Sequence, residues 1–229
     1  MKLAHSMALV LAISAICGFK SEDTFTLKQK YKKDDVSFYV ANFNISSEDS
    51  EVAIEMKNSF KVLSVEEDGA YEVEETLLSG MFKFNGEEHA MEKGEPKNKK
   101  YDKNGKEVKK EGDDEVDNDP VSKVMDDVFE YEPKEAVKIG DSWKREGEYG
   151  TMTMKLEGKE KVGDVDCLKI TMSGTIDKKD AAGSVTGTYL VRESDFSPEK
   201  MEAKIDNPKL DADSPAMKKI ELKMVRVKE

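Results

Sequence analysis

Histidine, cysteine and tryptophan are almost missing from this chain: two, two and one among 229 residues. His5 lies in an N-terminal apolar run, so His89 stands alone in the remainder. A Ser-His-Asp or Cys-His hydrolase needs a base beside its nucleophile, and this sequence offers no such neighbourhood. Cys17 lies in the same apolar run, which leaves Cys167 as the single later thiol. An intramolecular disulfide and a Cys/His metal cluster are therefore excluded. No glycine-rich phosphate loop or dinucleotide fingerprint occurs, so no cofactor is expected. Basic excess is absent too. A formal net charge of −12 and a pI near 4.9 argue against nucleic acid and anionic membrane surfaces as partners.

Long apolar runs are absent beyond the first eighteen residues. Lys2 followed by the stretch Leu9 to Ile16 has the form of a secretory signal peptide, too short to span a bilayer. Residues 1–18 are therefore read as a signal and residues 19–229 as one exported domain, periplasmic or secreted, without a transmembrane segment. Lipid anchoring through Cys17 is disfavoured, because Ile16 is large for the position before a lipidated cysteine.

What is present is alternation. Val52, Ile54, Met56, Phe60 and Val62 share one strand face against Glu55, Lys57, Ser59 and Lys61. Similar patterns run through 24–31, 71–84, 151–156, 168–176, 185–191, 201–205 and 220–224, while 36–45 is apolar on both faces, as in a strand buried on both sides or rolling over the edge of a curved sheet. Asp68-Gly69, Asn85-Gly86 and Gly163-Asp164 supply the turn chemistry of hairpins. The apolar phase changes near Ser79-Gly80, which predicts a β-bulge. About nine or ten antiparallel strands in meander order follow.

One helix is expected. Val121, Val124, Met125, Val128 and Phe129 fall at i, i+3, i+4, i+7 and i+8, with Asp119 as N-cap and Pro120 in the first turn. Glu132-Pro133 ends it. The helix 119–131 is preceded by a charged stretch, 93–118, read as a flexible loop with a small hairpin at Asp102 to Gly105. The acidic run Glu111 to Asp119 starts like a calcium loop. Asn118 and Val124 stand where glycine and a bidentate glutamate belong, so a solvated loop is the better reading and no metal site is assigned.

The expected architecture is mainly β: a single curved antiparallel sheet, a half-barrel, with the amphipathic helix on its concave side. That layout resembles the bacterial lipoprotein-carrier half-barrels, the lipoprotein localisation factors and their secreted lipid-binding relatives. Val137-Lys-Ile-Gly-Asp-Ser-Trp143 and the stretch Gly158 to Ile170 also resemble uncharacterised exported bacterial proteins. The resemblance implies a space for acyl chains or other apolar ligands, though a shared fold is only analogy for function. Val121, Met125, Phe129, Trp143, Met152, Met154 and Met172 are the candidate lining residues. A Met-rich interior serves a pliable cavity, and equally a plain core. Two functions stay open: a non-enzymatic envelope protein holding a lipid-like small molecule, or a structural or protein-interaction module of the envelope, with an envelope protein as partner, a filled core and no ligand.

Overall fold

The computed structural model describes residues 23–103, 107–108, 131–178, 181–209 and 217–229. Thirteen strands occur among them: β1 (Thr24–Phe25), β2 (Val36–Ser46), β3 (Glu51–Val65), β4 (Tyr71–Phe84), β5 (Glu87–Met91), β6 (Lys97–Tyr101), β7 (Val137–Lys138), β8 (Ser142–Glu146), β9 (Gly150–Val162), β10 (Val165–Ile176), β11 (Ala182–Arg192), β12 (Pro198–Lys209) and β13 (Lys219–Val227). Eleven form one antiparallel sheet, ordered β5-β4-β3-β2-β13-β12-β11-β10-β9-β8, with β6 beside β5 on β4. Two local meanders make this sheet, one from β2 to β6 and one from β8 to β13. They are zipped together where β13 pairs β2, from Lys219 opposite Ser46 to Val227 opposite Phe38. Among the described residues the two ends, β5 with β6 and β8, do not pair, so the sheet is open.

The turns form where the sequence carries them. Gly69 has φ +94° and its N–H donates to the Glu66 carbonyl. Asn85 and Gly86, with φ 47° and 94°, give two successive positive φ angles, the twist that suits a two-residue hairpin. The bulge lies at Leu78, unpaired between Leu77 opposite Asn58 and Ser79 opposite Lys57. It shifts the apolar phase of β4, so that Phe82 and Phe84 share a face with Leu77, Val73 and Tyr71.

Directly paired residues share a sheet face, and the register lets one row be followed across the molecule. Trp143, Met154, Met172, Gly187, Ala203, Leu222, Phe43, Ile54, Phe82 and His89 are successive partners. Their burial is graded. From Met154 to Leu222 the row is sealed, Gly187 apart; Phe43, Ile54 and Phe82 are partly exposed and His89 is exposed. The next row repeats this: Val185, Ile205 and Ile220 are buried, Ile45 and Val52 partly exposed, and Phe84 is 45 % exposed.

The sealed half is covered by chain from outside the sheet. Phe25 and Leu27 from the N-terminal segment, Val137 from β7, Tyr131 and Phe196 pack with β9–β13 into one core. β1 pairs β7 to hold that cover together. The Tyr131 hydroxyl donates to the Phe196 carbonyl at 2.5 Å, and Trp143 Nε1 donates to the Tyr131 carbonyl at 3.2 Å. These bonds satisfy polar groups that burial would otherwise strand.

Two expectations change. The stretch 93–118 is not all loop: Lys97–Tyr101 is β6, paired to β4 from Tyr71↔Tyr101 to Glu75↔Lys97. Tyr101 also bridges Glu107. β6 escapes alternation because a strand at the sheet's end buries little, and Lys-rich sequence suits it. Short β5 and β8 escape for the same reason and the two residues of β7 are too few to alternate, which is why thirteen strands exceed the nine or ten expected. The helix 119–131, apart from buried Tyr131, the signal segment 1–18 and the acidic run 111–119 lie outside the described residues. No helix among the described residues is long and apolar enough to cross a membrane.

Candidate functional site

A pocket of about 260 Å³ lies on the inner face where the two meanders meet. Its floor comes from Ser37 and Tyr39 on β2, Phe60 and Val62 on β3, Tyr71, Val73 and Glu75 on β4, and Met224 and Arg226 on β13. Gln29 to Tyr31 and the β11–β12 turn, Asp195 to Ser197, close it from the side opposite the floor. The Lys30 N–H donates to the Asp195 carbonyl at 2.8 Å and the Gln29 N–H to Glu132 Oε1 at 3.0 Å. These two bonds fix the N-terminal segment over the sheet.

Aromatic rings make the wall. Tyr31 stacks on Tyr71 at 3.9 Å between centroids, and Tyr71 on Tyr101 at 4.9 Å. Tyr39 meets Phe60 edge-on at 5.5 Å. Four of the chain's seven tyrosines thus line one small pocket. Burial, before any other cause, pushes the Tyr31 and Tyr71 hydroxyls above their ordinary range.

The polar end is held just as firmly. Arg226 Nη1 donates to Ser197 Oγ at 2.8 Å and Nη2 to Ser37 Oγ at 2.7 Å. Asp195 Oδ1 accepts from the Ser197 N–H and hydroxyl at 2.9 and 2.5 Å. Burial raises the Asp195 pKa, but those two hydrogen bonds with Arg192 and Arg226 outweigh it and hold the carboxyl below its ordinary value. Asp195 is ionised throughout the neutral range.

The same face continues away from the pocket as an apolar track. Beyond Tyr39 and Phe60 come Ala41 and Met56, then Phe43, Ile54 and Phe82, then Ile45, Val52 and Phe84. Among these Phe84 is exposed and the others beyond Ala41 partly so. A continuous, partly exposed apolar surface beside a half-open pocket is how ligand grooves differ from ordinary surface.

The expected lining residues that are described fall elsewhere. Met152, Met154 and Met172 are 2 %, 0 % and 3 % exposed inside the sealed core, with Trp143 packed against its rim. Met172 also borders a shallow depression beside Gly187 and Ala203. Val121, Met125 and Phe129 lie outside the described residues. Tyr31, Tyr71, Tyr101 and Arg226 were not legible as site residues, because only the β13–β2 seam and β6 bring them together. The one available signal was the supply of tyrosines in otherwise polar stretches.

His89 is exposed on β5, and Cys167 is a fully buried free thiol on β10. Burial pushes the Cys167 thiol up to about 11, and burial also raises Tyr131 and Tyr189. The unfolded chain releases these protons near their ordinary values while the folded chain keeps them. Their contribution to stability is therefore present below about pH 9 and lost as pH rises towards 11. The guanidinium midpoint should fall steadily between those values, and Cys167 should resist a thiol reagent in the native protein and react with it after unfolding. A flat midpoint across that range would contradict the burial of these groups.

An open antiparallel sheet, sealed on half of its inner face and carrying an aromatic pocket on the other, is the class that fold and site define. No protein-family model matches the sequence, and no curated protein matches it. Among solved structures, the chain is similar to a putative outer membrane lipoprotein-sorting protein domain from Vibrio parahaemolyticus, at 10% identity and a TM-score of 0.25, over 86% of this chain and 85% of that one. Nothing beyond that likeness is carried from that domain to this chain.

Proposed function

We propose that this is a non-enzymatic, exported binding protein whose inner face holds one small amphipathic molecule, with its polar head in the tyrosine pocket and its apolar tail along β2–β4. The observation that carries this reading is the contrast within single sheet rows. Ile205 and Ile220 are sealed, yet Ile45, Val52 and Phe84 in the same row stay partly or largely exposed. A purely structural core would cover both halves alike, since leaving apolar area in water forgoes about 25 cal/mol per Å². The pocket supports a small ligand: about 260 Å³ is below the roughly 300–1,000 Å³ of drug-sized sites. One chain or one short head fits there, and a whole diacyl lipid does not.

A fluorescent acyl probe should bind saturably at one site and raise the unfolding midpoint by mass action. Ile54→Lys, on the track between Phe43 and Phe82, should remove that binding while the fold survives, because Ile54 is not sealed. Absence of saturable uptake by the wild-type protein would leave the structural-module reading in its place.

A further inference from the structure

We infer that the head group taken by the tyrosine pocket is an organic cation, an alkyl or quaternary ammonium, so that the ligand is a cationic or zwitterionic amphiphile. This rests on the binding reading above and adds the chemistry of its polar end.

Two observations carry it. The first is the wall. Tyr31, Tyr39, Phe60, Tyr71 and Tyr101 line one cavity; Tyr71 is stacked between Tyr31 and Tyr101, so the faces left to attract an ammonium through their quadrupoles belong to the rings around it. Inside a small, partly desolvated pocket that attraction is stronger than at an open surface.

The second is the charge balance of the lining. Its two cations are both engaged. Lys30 Nζ lies 4.8 Å from the Phe196 ring centroid, and Arg226 is tied to Ser37 and Ser197 with Asp195 close by. Among its three carboxylates, Asp195 is held by Ser197, and Glu75 pairs with Lys99 at 2.9 Å. Asp35 is left. Its backbone N–H donates to the Lys32 carbonyl, but its carboxylate has no hydrogen bond or ion pair among the described residues. Asp35, exposed just before β2, is therefore the lining carboxylate left open to a cationic head, while Lys30 is turned to the Phe196 ring. The formal net charge of −12 adds a field of the same sign, which draws cations in and turns free carboxylates away.

Titration calorimetry on the full mature chain tests this with four ligands below any micelle concentration: dodecyltrimethylammonium, dodecanoate, a neutral dodecyl glycoside and choline. Dodecyltrimethylammonium should bind at least about tenfold more tightly than dodecanoate, as expected for a desolvated cation among rings. Asp35→Asn should weaken the ammonium ligand several-fold and leave the neutral glycoside unchanged. Tyr101→Leu, which keeps an apolar side chain but removes an outer ring of the stack, should narrow the same gap. Dodecanoate binding as tightly as the ammonium, or Asp35→Asn changing nothing, overturns the head-group inference and leaves the binding reading standing. Failure of every dodecyl ligand overturns both. Choline matching the dodecyl compound supports ammonium recognition and assigns it to free cations, which removes the tail from the binding reading.

Discussion

Ile220→Ala should cost about 2–5 kcal/mol of folding stability, whereas Phe84→Ala should cost only about 1 kcal/mol or less. The order is the reverse of side-chain size, since a phenylalanine truncated in a sealed core costs about 3–5 kcal/mol. Ile220 and Phe84 lie on one row of one sheet, linked through Ile45 and Val52. Ile220 is 1 % exposed and Phe84 45 %. The first loses its packing and leaves a cavity. The second already spends much of its surface in water, so little transfer free energy disappears with it. Paired denaturant titrations with unchanged slopes measure the difference directly. Equal losses would mean that the β2–β4 face is packed like the rest, and that no open track exists.

Gly174→Val should be as damaging, by the opposite mechanism. Gly174 lies between Met152 and Val185 on the inner face. A Cβ there would sit 2.3 Å from the Thr151 carbonyl oxygen and 2.9 Å from the Met152 Cα. Both are backbone atoms of the neighbouring strand, so no flexible side chain can swing away. Overpacking of a tight core costs about 1–3 kcal/mol and occasionally more. Strand β9 would also have to part from β10 locally, so soluble yield should fall with the midpoint. Gly86→Ala offers the comparison: nothing lies within 4 Å of its added Cβ, and its only strain is its φ of +94°. A Gly174→Val protein as stable as the wild type would show that β9 and β10 are not packed as described.

The long strands were legible because each has one buried face, and alternation is the direct record of that. β3 begins at Glu51 and ends at Val65, the same stretch that the pattern of Val52 to Val62 marks. The bulge at Leu78 was legible for a related reason, since an extra residue must shift the phase of everything after it. β6 was not, because Lys97 to Lys100 contribute no apolar side chain and only the tyrosine stack reveals what the strand is for. The site was harder still. Its residues come from positions as distant as Tyr31, Tyr101 and Arg226, and the pairing of β13 with β2 that unites them leaves no local mark in either strand. The methionines looked like a cavity lining because Met154 and Met172 alternate inward. In the structure that inward face is the filled half. Alternation reports which face is covered, and says nothing of whether the cover is protein or guest.

Methyl-resolved nuclear magnetic resonance of the isoleucine and methionine side chains tests the central claim most directly. The chain carries both residue types on each half of the inner face: Ile45, Ile54 and Met56 on the open track, Ile170, Ile205 and Met154 in the sealed core. Titration with a dodecyl amphiphile should move the first three resonances, together with Met224 at the pocket, along one saturating curve. Resonances of the second three should stay in place. Shifts concentrated on Ile170, Ile205 and Met154, or no saturable shift on any inner-face methyl, would contradict the account.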